Sequence, residues 1–165
     1  MTQYRIIQAV TATTCALAIS CSSLPDALAA RQTAQRHRIS ETQLIAMVGS
    51  TGGNFGMPSY RRISAGTLDG TIRNRAVHGA LRAVSRYPRF GLSIIHGTEY
   101  DAGGSRWFTI LNHYTLSNGR SFTHAEGKWT GGTGIYTHAR GKFRLTGGGP
   151  IGQPGTDQLS GYILY

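Results

Sequence analysis

The stretch RWFTILNHYTLSNGRSFTHAEGKWT, residues 106–130, predicts a β-hairpin and with it the fold class of the chain. Asn118-Gly119 at its centre is a strong turn signal, because a type I′ turn needs a positive φ at both central residues. Apolar and polar residues alternate on both sides of this turn, as in half-buried strands. A two-residue turn places Asn112 opposite Ala125 and Tyr114 opposite Thr123.

One face of this hairpin is mostly apolar and alternates large with small side chains, so we expect it to point inward. The same face carries the polar side chains of Asn112, Tyr114 and Thr123, and buried polar groups need partners. The sequence leaves two interpretations open: these groups bond each other, or they orient a ligand in the lumen of a barrel. The candidate ligand-binding residues are Phe108, Ile110, Asn112, Tyr114, Thr123 and Trp129.

A second stretch, GKWTGGTGIYTHARGKFRLTGGG at residues 127–149, raises the question of a phosphate-binding loop. A dinucleotide loop needs G-x-G-x-x-G before a helix, and a Walker loop needs Gly-Lys-Ser/Thr; neither is present. Residues 135–146 instead alternate strictly, which predicts a half-buried strand with Arg140, Lys142 and Arg144 on its outer face. The stretch is therefore interpreted as a turn and a strand, and nucleotide binding is not expected.

The organisation of the remaining chain favours consecutive hairpins. Short β-branched and aromatic stretches separated by Gly, Asn and Asp predict further strands at 67–78, 80–87, 90–98 and 157–165. No long helical pattern intervenes, so the fold class is all-β, and the predicted architecture is a small antiparallel barrel over 67–165. Residues 30–66 are interpreted as a flexible basic lead-in with one short helix over ETQLIAMVG, residues 41–49.

The glycine-rich stretch resembles a segment of the bacterial allene oxide cyclase barrel-like proteins and of the plant dirigent proteins. The resemblance covers about residues 67–165, and it implies an eight-stranded barrel of the calycin type, often oligomeric, with a hydrophobic lumen. It also implies a chemistry in which the lumen holds a reactive apolar substrate in one folded conformation, so that one ring closure or coupling is favoured over the others. The family's catalytic positions do not carry over onto this chain, and the matched positions are structural. They are Gly131, Gly132, Thr133, Gly134, Tyr136, Ala139, Gly141 and Phe143.

Residues 1–29 predict a secretory signal peptide, and hence a secreted or periplasmic protein. Arg5 precedes an apolar run that ends in Ala27-Leu28-Ala29, whose small side chains suit a signal peptidase. The run is too short for a transmembrane helix, which needs roughly 20 apolar residues. Cys21 offers a less favoured alternative, a lipid-anchored protein. Cys15 and Cys21 both lie in this segment, so the exported chain would have no disulfide and no cysteine-ligated zinc.

The net charge of +10 favours contact with polyanions, although the basic residues are mostly isolated arginines and nucleic acid is a weak candidate. The leading functional hypothesis is a barrel that takes up a small hydrophobic molecule and guides its cyclisation or isomerisation. The alternative is a non-enzymatic envelope protein that binds polyanions or partner proteins through Arg140, Lys142 and Arg144. A third hypothesis gives the barrel no ligand and uses Trp107 and Phe122 in an assembly interface.

Other groups of reactive side chains are weaker candidates. His113 and His124 are predicted to lie opposite each other with Glu126 nearby, a set that could bind zinc or copper. A pair of this kind on an outward face is more often solvated, so no metal and no cofactor is predicted. Glu99 and Asp101 are predicted to form a turn in which the aspartate bonds its own backbone, rather than a catalytic acid at the barrel mouth.

Overall fold

The hairpin around Asn118-Gly119 forms with the predicted register: Asn112 pairs with Ala125 and Tyr114 with Thr123. Asn118 and Gly119 both have a positive φ, as this turn requires. The structure is a computed structural model that describes residues 35–55 and 58–165. In these residues the hairpin belongs to a closed barrel of eight antiparallel strands, so the predicted all-β barrel is confirmed.

Each strand pairs with its neighbours in the chain, and the last strand pairs with the first to close the barrel. A short 3-10 helix, Gly134–Tyr136, connects the sixth and seventh strands. The strands are β1 (Arg36–Thr51), β2 (Arg61–Ile72), β3 (Arg75–Arg89), β4 (Leu92–Asp101), β5 (Gly104–Ser117), β6 (Arg120–Gly132), β7 (Arg140–Pro150) and β8 (Gly155–Leu164).

The prediction of a helix over residues 41–49, in a flexible lead-in, was wrong. These residues lie in β1, whose first half alternates between exposed and buried side chains. β1 pairs with β2 on one side and with β8 on the other, and β8 is distant in sequence. The barrel therefore begins at Arg36 rather than at residue 67, because long-range pairing overrides the weak local signal.

Two predicted strands have different bounds in the structure. The stretch 67–78 spans the turn at Arg73-Asn74, where both residues have a positive φ, so it supplies the end of β2 and the start of β3. The stretch 135–146 becomes strand only at Arg140, because the chain first makes the 3-10 helix. Tyr136 is consequently buried, although strict alternation had placed it outside.

The two ends of the barrel differ. At the end where β1 begins, the 3-10 helix and the chain terminus close the interior: the ring of Tyr136 lies 5.0 Å from that of Tyr165, which lies 4.8 Å from His37. We call this the closed end. The open end carries the turns after β1, β3, β5 and β7.

Glycines on inward-facing positions make room for aromatic rings in the closed half. A methyl group on Gly127 would lie 2.2 Å from Cζ of Phe143, and one on Gly97 would lie 2.3 Å from Cζ of Phe108. The rings of Trp129 and Phe143 are 4.5 Å apart in the same layer. Small residues thus accept large ones across the narrow interior of an eight-stranded barrel, which fills this half.

The predicted signal peptide over residues 1–29, with Cys21, and the start of the predicted lead-in lie outside the described residues. Within residues 35–55 and 58–165, no helix is long and apolar enough to cross a membrane.

Candidate ligand-binding cavity

A cavity of about 350 Å³ occupies the open half of the barrel. Its walls come from inward-facing residues of the strands, and the loops after β1 and β7 reach its mouth. Its apolar lining includes Ile45, Leu81, Ala83, Ile95, Phe108, Ile110 and Leu145.

The structure brings five of the six predicted ligand-binding residues to this cavity: Phe108, Ile110, Asn112, Tyr114 and Thr123. Trp129 is the exception, because it lies deeper, in the closed half. Its indole packs against Phe143 and under Arg106, whose Cζ is 5.2 Å from the ring.

Two carboxyl or amide oxygens in the cavity wall have no hydrogen-bond partner. Oδ1 of Asn112 and Oδ1 of Asp157 are both buried and unpaired. The hypothesis that the polar side chains of this face hydrogen-bond each other therefore does not hold for Oδ1 of Asn112. Because a buried acceptor without a partner is costly, this wall is suited to a ligand that donates hydrogen bonds.

Asp157 was not predicted as a site residue. It faces Gly147 on β7, and beyond Gly147 lies Thr123 on β6. A methyl group on Gly147 would lie 2.5 Å from Oδ1 of Asp157, so this glycine leaves space for the carboxyl group. Burial raises the pKa of Asp157 to about 6, although hydrogen bonding to Thr123 and the positive charge of Arg62 favour the ionised form.

Aromatic rings surround the mouth of the cavity. Tyr87 contacts Phe55, Tyr60 and Tyr114, with ring centroids 5.2, 5.7 and 5.9 Å away. Phe90 continues the series at 6.0 Å from Tyr114. Arg62 also lines the cavity; burial raises the pKa of the Tyr87 hydroxyl, and Arg62 opposes this shift.

A charged cluster, Glu41, Glu99, Asp101 and Arg106, lies inside the closed half. Arg106 is fully buried, with Nη1 2.7 Å from Oε1 of Glu41 and Nη2 3.0 Å from Oε2 of Glu99. Oδ2 of Asp101 lies 3.5 Å from Nη2 and accepts a hydrogen bond from the Tyr136 hydroxyl at 3.0 Å. The Arg106 contacts are close but lack the alignment of hydrogen bonds, so they are ion pairs.

The cluster has three carboxyl groups for one guanidinium, and its pKa values reflect that imbalance. Burial raises the pKa of Glu41 and, together with the charge of Glu41, raises that of Glu99 well above its ordinary value. Burial alone would lower the pKa of Arg106, but Glu99 and Glu41 more than offset it, so the arginine stays charged. Glu41 and Glu99 consequently hold their protons at pH values where exposed glutamates are ionised.

Gln43 connects the cluster to the cavity. Its Nε2 donates a hydrogen bond to Oε1 of Glu99 at 2.7 Å, and its side chain also lines the cavity. The cluster was missed in the sequence because its four members lie on three different strands, and only the closed barrel brings them together. One signal in the sequence could have indicated the cluster. Arg106 lies two residues before Phe108, so a charged residue shares the inward face of β5 with apolar residues.

The predicted turn over Glu99–Asp101 was wrong, since both residues lie in β4 and the turn follows at Ala102-Gly103. The expected backbone contact of Asp101 does form, because Oδ1 accepts a hydrogen bond from the Gly103 amide at 2.6 Å.

The remaining predicted residues lie on the outer face or in the connection to β7. His113 and His124 are opposite each other and exposed, and in the described residues no three His, Cys, Asp or Glu side chains form a metal site. Arg140, Lys142 and Arg144 are exposed on β7, as are Trp107 on β5 and Phe122 on β6.

The glycine-rich motif ends β6, forms the 3-10 helix and starts β7. Within it, Oγ1 of Thr133 accepts a hydrogen bond from the Ser105 amide at 3.1 Å, which ties the connection to β5. The other motif residues are Gly131, Gly132, Gly134, Tyr136, Ala139, Gly141 and Phe143. No family model matches this chain, and a comparison with curated proteins finds no significant match.

Proposed function

We propose that the open end of the barrel binds a small, mostly apolar molecule that carries a hydrogen-bond donor such as a hydroxyl group. The observation that carries this proposal is the pair of buried, unpaired oxygens of Asn112 and Asp157 in a cavity whose other walls are largely apolar. A volume of about 350 Å³ lies at the small end of the range for small-molecule sites, about 300–1,000 Å³.

The division of the lining supports one orientation of the ligand. Leu81, Ile95 and Ile110 offer apolar contacts, while Asn112 on β5 and Asp157 on β8 offer acceptors from the side of the barrel that runs from β5 to β8. The aromatic rings at the mouth would cover the apolar end of the ligand and exclude water. The ligand would thus be held by apolar burial and oriented by its hydroxyl group.

We extend this proposal to a reaction, from the resemblance of the glycine-rich segment to allene oxide cyclase-like and dirigent-like proteins. The bound molecule would be held in one folded conformation, so that one ring closure or isomerisation is favoured by proximity. The binding proposal does not depend on this extension.

A shape-matched pair of probes tests the binding proposal. 2-Naphthol and 2-methylnaphthalene have similar shapes, but only the naphthol donates a hydrogen bond. We expect naphthol to bind about tenfold more tightly or better, because each buried acceptor that it satisfies otherwise loses about 1–3 kcal/mol. Isothermal titration calorimetry, or competition against a fluorescent probe, measures both affinities.

Substitutions test whether Asn112 and Asp157 cause the tighter binding of naphthol. Asn112→Leu combined with Asp157→Leu should remove the advantage of naphthol while methylnaphthalene still binds. The matched control is His113→Leu with Thr115→Leu on the outer face of β5, which should leave both affinities unchanged. Equal affinities for the two probes in the unmodified protein, or a naphthol preference that survives the double substitution, would refute the assignment of this site.

A further inference from the structure

The outer face of the barrel near its closed end carries a basic band. In this band Lys128 on β6 pairs with Lys142 on β7, Lys142 pairs with Tyr162 on β8, and Tyr162 pairs with Arg38 on β1. The neighbouring row places Arg140 and Arg36 on either side of Leu164. The cations of this band are all exposed: Arg36, Arg38, Lys128, Arg140, Lys142 and Arg144.

Folding removes acidic groups from this surface. Of the six Asp and Glu residues that the structure describes, four have buried side chains, namely the three acids of the charged cluster and Asp157. The other two are exposed: Asp69 is paired with His78 on β3, and Glu126 lies 3.7 Å from Arg144. The other five cations of the band have no ion-pair partner in the described residues.

The pairing of Lys128 with Lys142 places two like charges directly opposite each other, an arrangement that costs stability. An open groove of about 650 Å³ runs along this pair. Its walls also carry the hydroxyl groups of Thr109 and Ser160, the side chain of Leu111 and the half-buried backbone of Gly127 and Gly161. The groove also contains one carboxylate, that of Glu126, which is paired with Arg144. An anion placed in the groove would relieve the lysine repulsion.

We propose that this groove binds a linear anionic polysaccharide. The lysines would contact its sulfate or carboxylate groups, Thr109 and Ser160 its hydroxyl groups, and Leu111 the apolar face of a sugar ring. Trp107, two residues from Thr109 on the same outer face and exposed, offers an indole for a further sugar ring.

The same surface is less suited to other polyanions. Single-stranded nucleic acid needs successive aromatic side chains for its bases, but the ring of Tyr162 in this band is already covered by Arg36, whose Cζ is 4.0 Å from the centroid. An anionic membrane surface would gain little from this groove, because of its two apolar lining residues Leu111 is exposed and Phe143 is buried.

The test uses the full chain and a fluorescently labelled heparin octasaccharide, with binding followed by anisotropy at increasing salt. Lys128→Gln with Lys142→Gln should weaken binding about tenfold and reduce its salt dependence, since two charge contacts are lost. The matched control, Arg82→Gln with Arg86→Gln on β3, removes the same charge from another face and should change affinity less than about twofold. Trp107→Ala, added to the lysine double variant, should weaken binding of the octasaccharide further.

Several outcomes would overturn the proposal. Equal losses in the two double variants would show unspecific attraction to net charge. Tighter binding of a thymidine oligonucleotide, or of vesicles rich in phosphatidylglycerol, would identify another polyanion as the occupant. Melting temperatures establish that each variant is folded, and unchanged naphthol affinity in Lys128→Gln/Lys142→Gln separates this site from the lumen.

Discussion

At the closed end of the barrel Arg106 lies within 3.5 Å of three carboxyl groups, whereas at the open end Asn112 and Asp157, which line a cavity, each have a buried oxygen without a partner. Both ends bury polar groups on inward-facing positions, and β5 contributes a residue to each end. In the closed half the surrounding rings of Trp129, Tyr136 and Phe143 leave no space, so the charged groups pair with each other. In the open half the residues that carry the unpaired oxygens line a cavity.

Buried polar groups therefore have different roles at the two ends of the barrel. A buried ion pair contributes little net stability when intact, but losing one partner is costly because the other charge stays buried. A buried acceptor without a partner destabilises the free protein and is satisfied when a ligand binds. The closed end is therefore interpreted as structural and the open end as the binding site, and substitutions at the two ends should behave in opposite ways.

The largest effect is expected for Arg106→Met. The substitution leaves Glu41, Glu99 and Asp101 without a buried cation and should lower the free energy of unfolding by about 3–5 kcal/mol. Urea unfolding at neutral pH measures this loss. Arg82→Met on the exposed face of β3 is the control and should stay within about 0.5 kcal/mol of the unmodified protein. Equal losses for the two variants would contradict a structural role for the cluster.

A second, intermediate effect is expected on the pH dependence of stability. The pKa of Asp157 rises on folding from 3.8 to about 6, and the pKa values of Glu41 and Glu99 rise as well. The folded state therefore binds protons more tightly than the unfolded state, so its extra stability is present at low pH and is lost as the pH rises through these values. Asp157 alone should contribute on the order of 2–3 kcal/mol to this change.

Thermal unfolding between pH 4 and pH 8 measures the trend, and the melting temperature should fall as the pH rises through the interval between the unfolded and folded pKa values. Burial and the charge of Arg73 lower the pKa of His37, which acts in the opposite direction. Asp157→Asn isolates the carboxyl group, because this variant should lose the Asp157 part of the slope. A slope unchanged by Asp157→Asn would mean that this carboxyl group titrates normally.

The smallest effect on stability is expected at the open end. Asn112→Leu removes an unpaired buried oxygen and adds apolar contact, so the free energy of unfolding should be unchanged or should rise by up to about 1 kcal/mol. Urea unfolding without ligand tests this directly. A loss of several kcal/mol would mean that Asn112 is structural, like the cluster, and the contrast between the two ends would disappear.

The predictable parts of the fold are those with strong local signals. Asn118-Gly119 fixed the register of β5 and β6, and the period of two then placed Phe108, Ile110, Asn112, Tyr114 and Thr123 on one inner face. β1 was mistaken for a helix because Leu44, Ile45, Met47 and Val48 lie at helical spacing after Ser40 and before the glycine-rich stretch that follows Gly49. Its strand state comes from β2 and β8, which local sequence cannot show.

The site was predictable only in part for the same reason. Asn112 was found from its position in a hairpin, whereas Asp157 lies on β8 and meets Thr123 across Gly147 only when β6, β7 and β8 are paired. Trp129 was assigned to the lumen because it shares a face with Phe108. A sequence pattern gives the face of a sheet but not the depth along the barrel axis, and at the depth of Trp129 the interior is filled by Phe143 and Arg106.

The sequence by itself determined the all-β class, the central hairpin with its register, and the inward face that carries the cavity residues. These depend on turn chemistry and on alternation, which act over a few residues. The tertiary structure alone decided that β1 closes the barrel, that Glu41, Glu99, Asp101 and Arg106 meet, and that the cations of the basic band share one surface. These features join distant residues, and they arise only when the chain closes into a barrel.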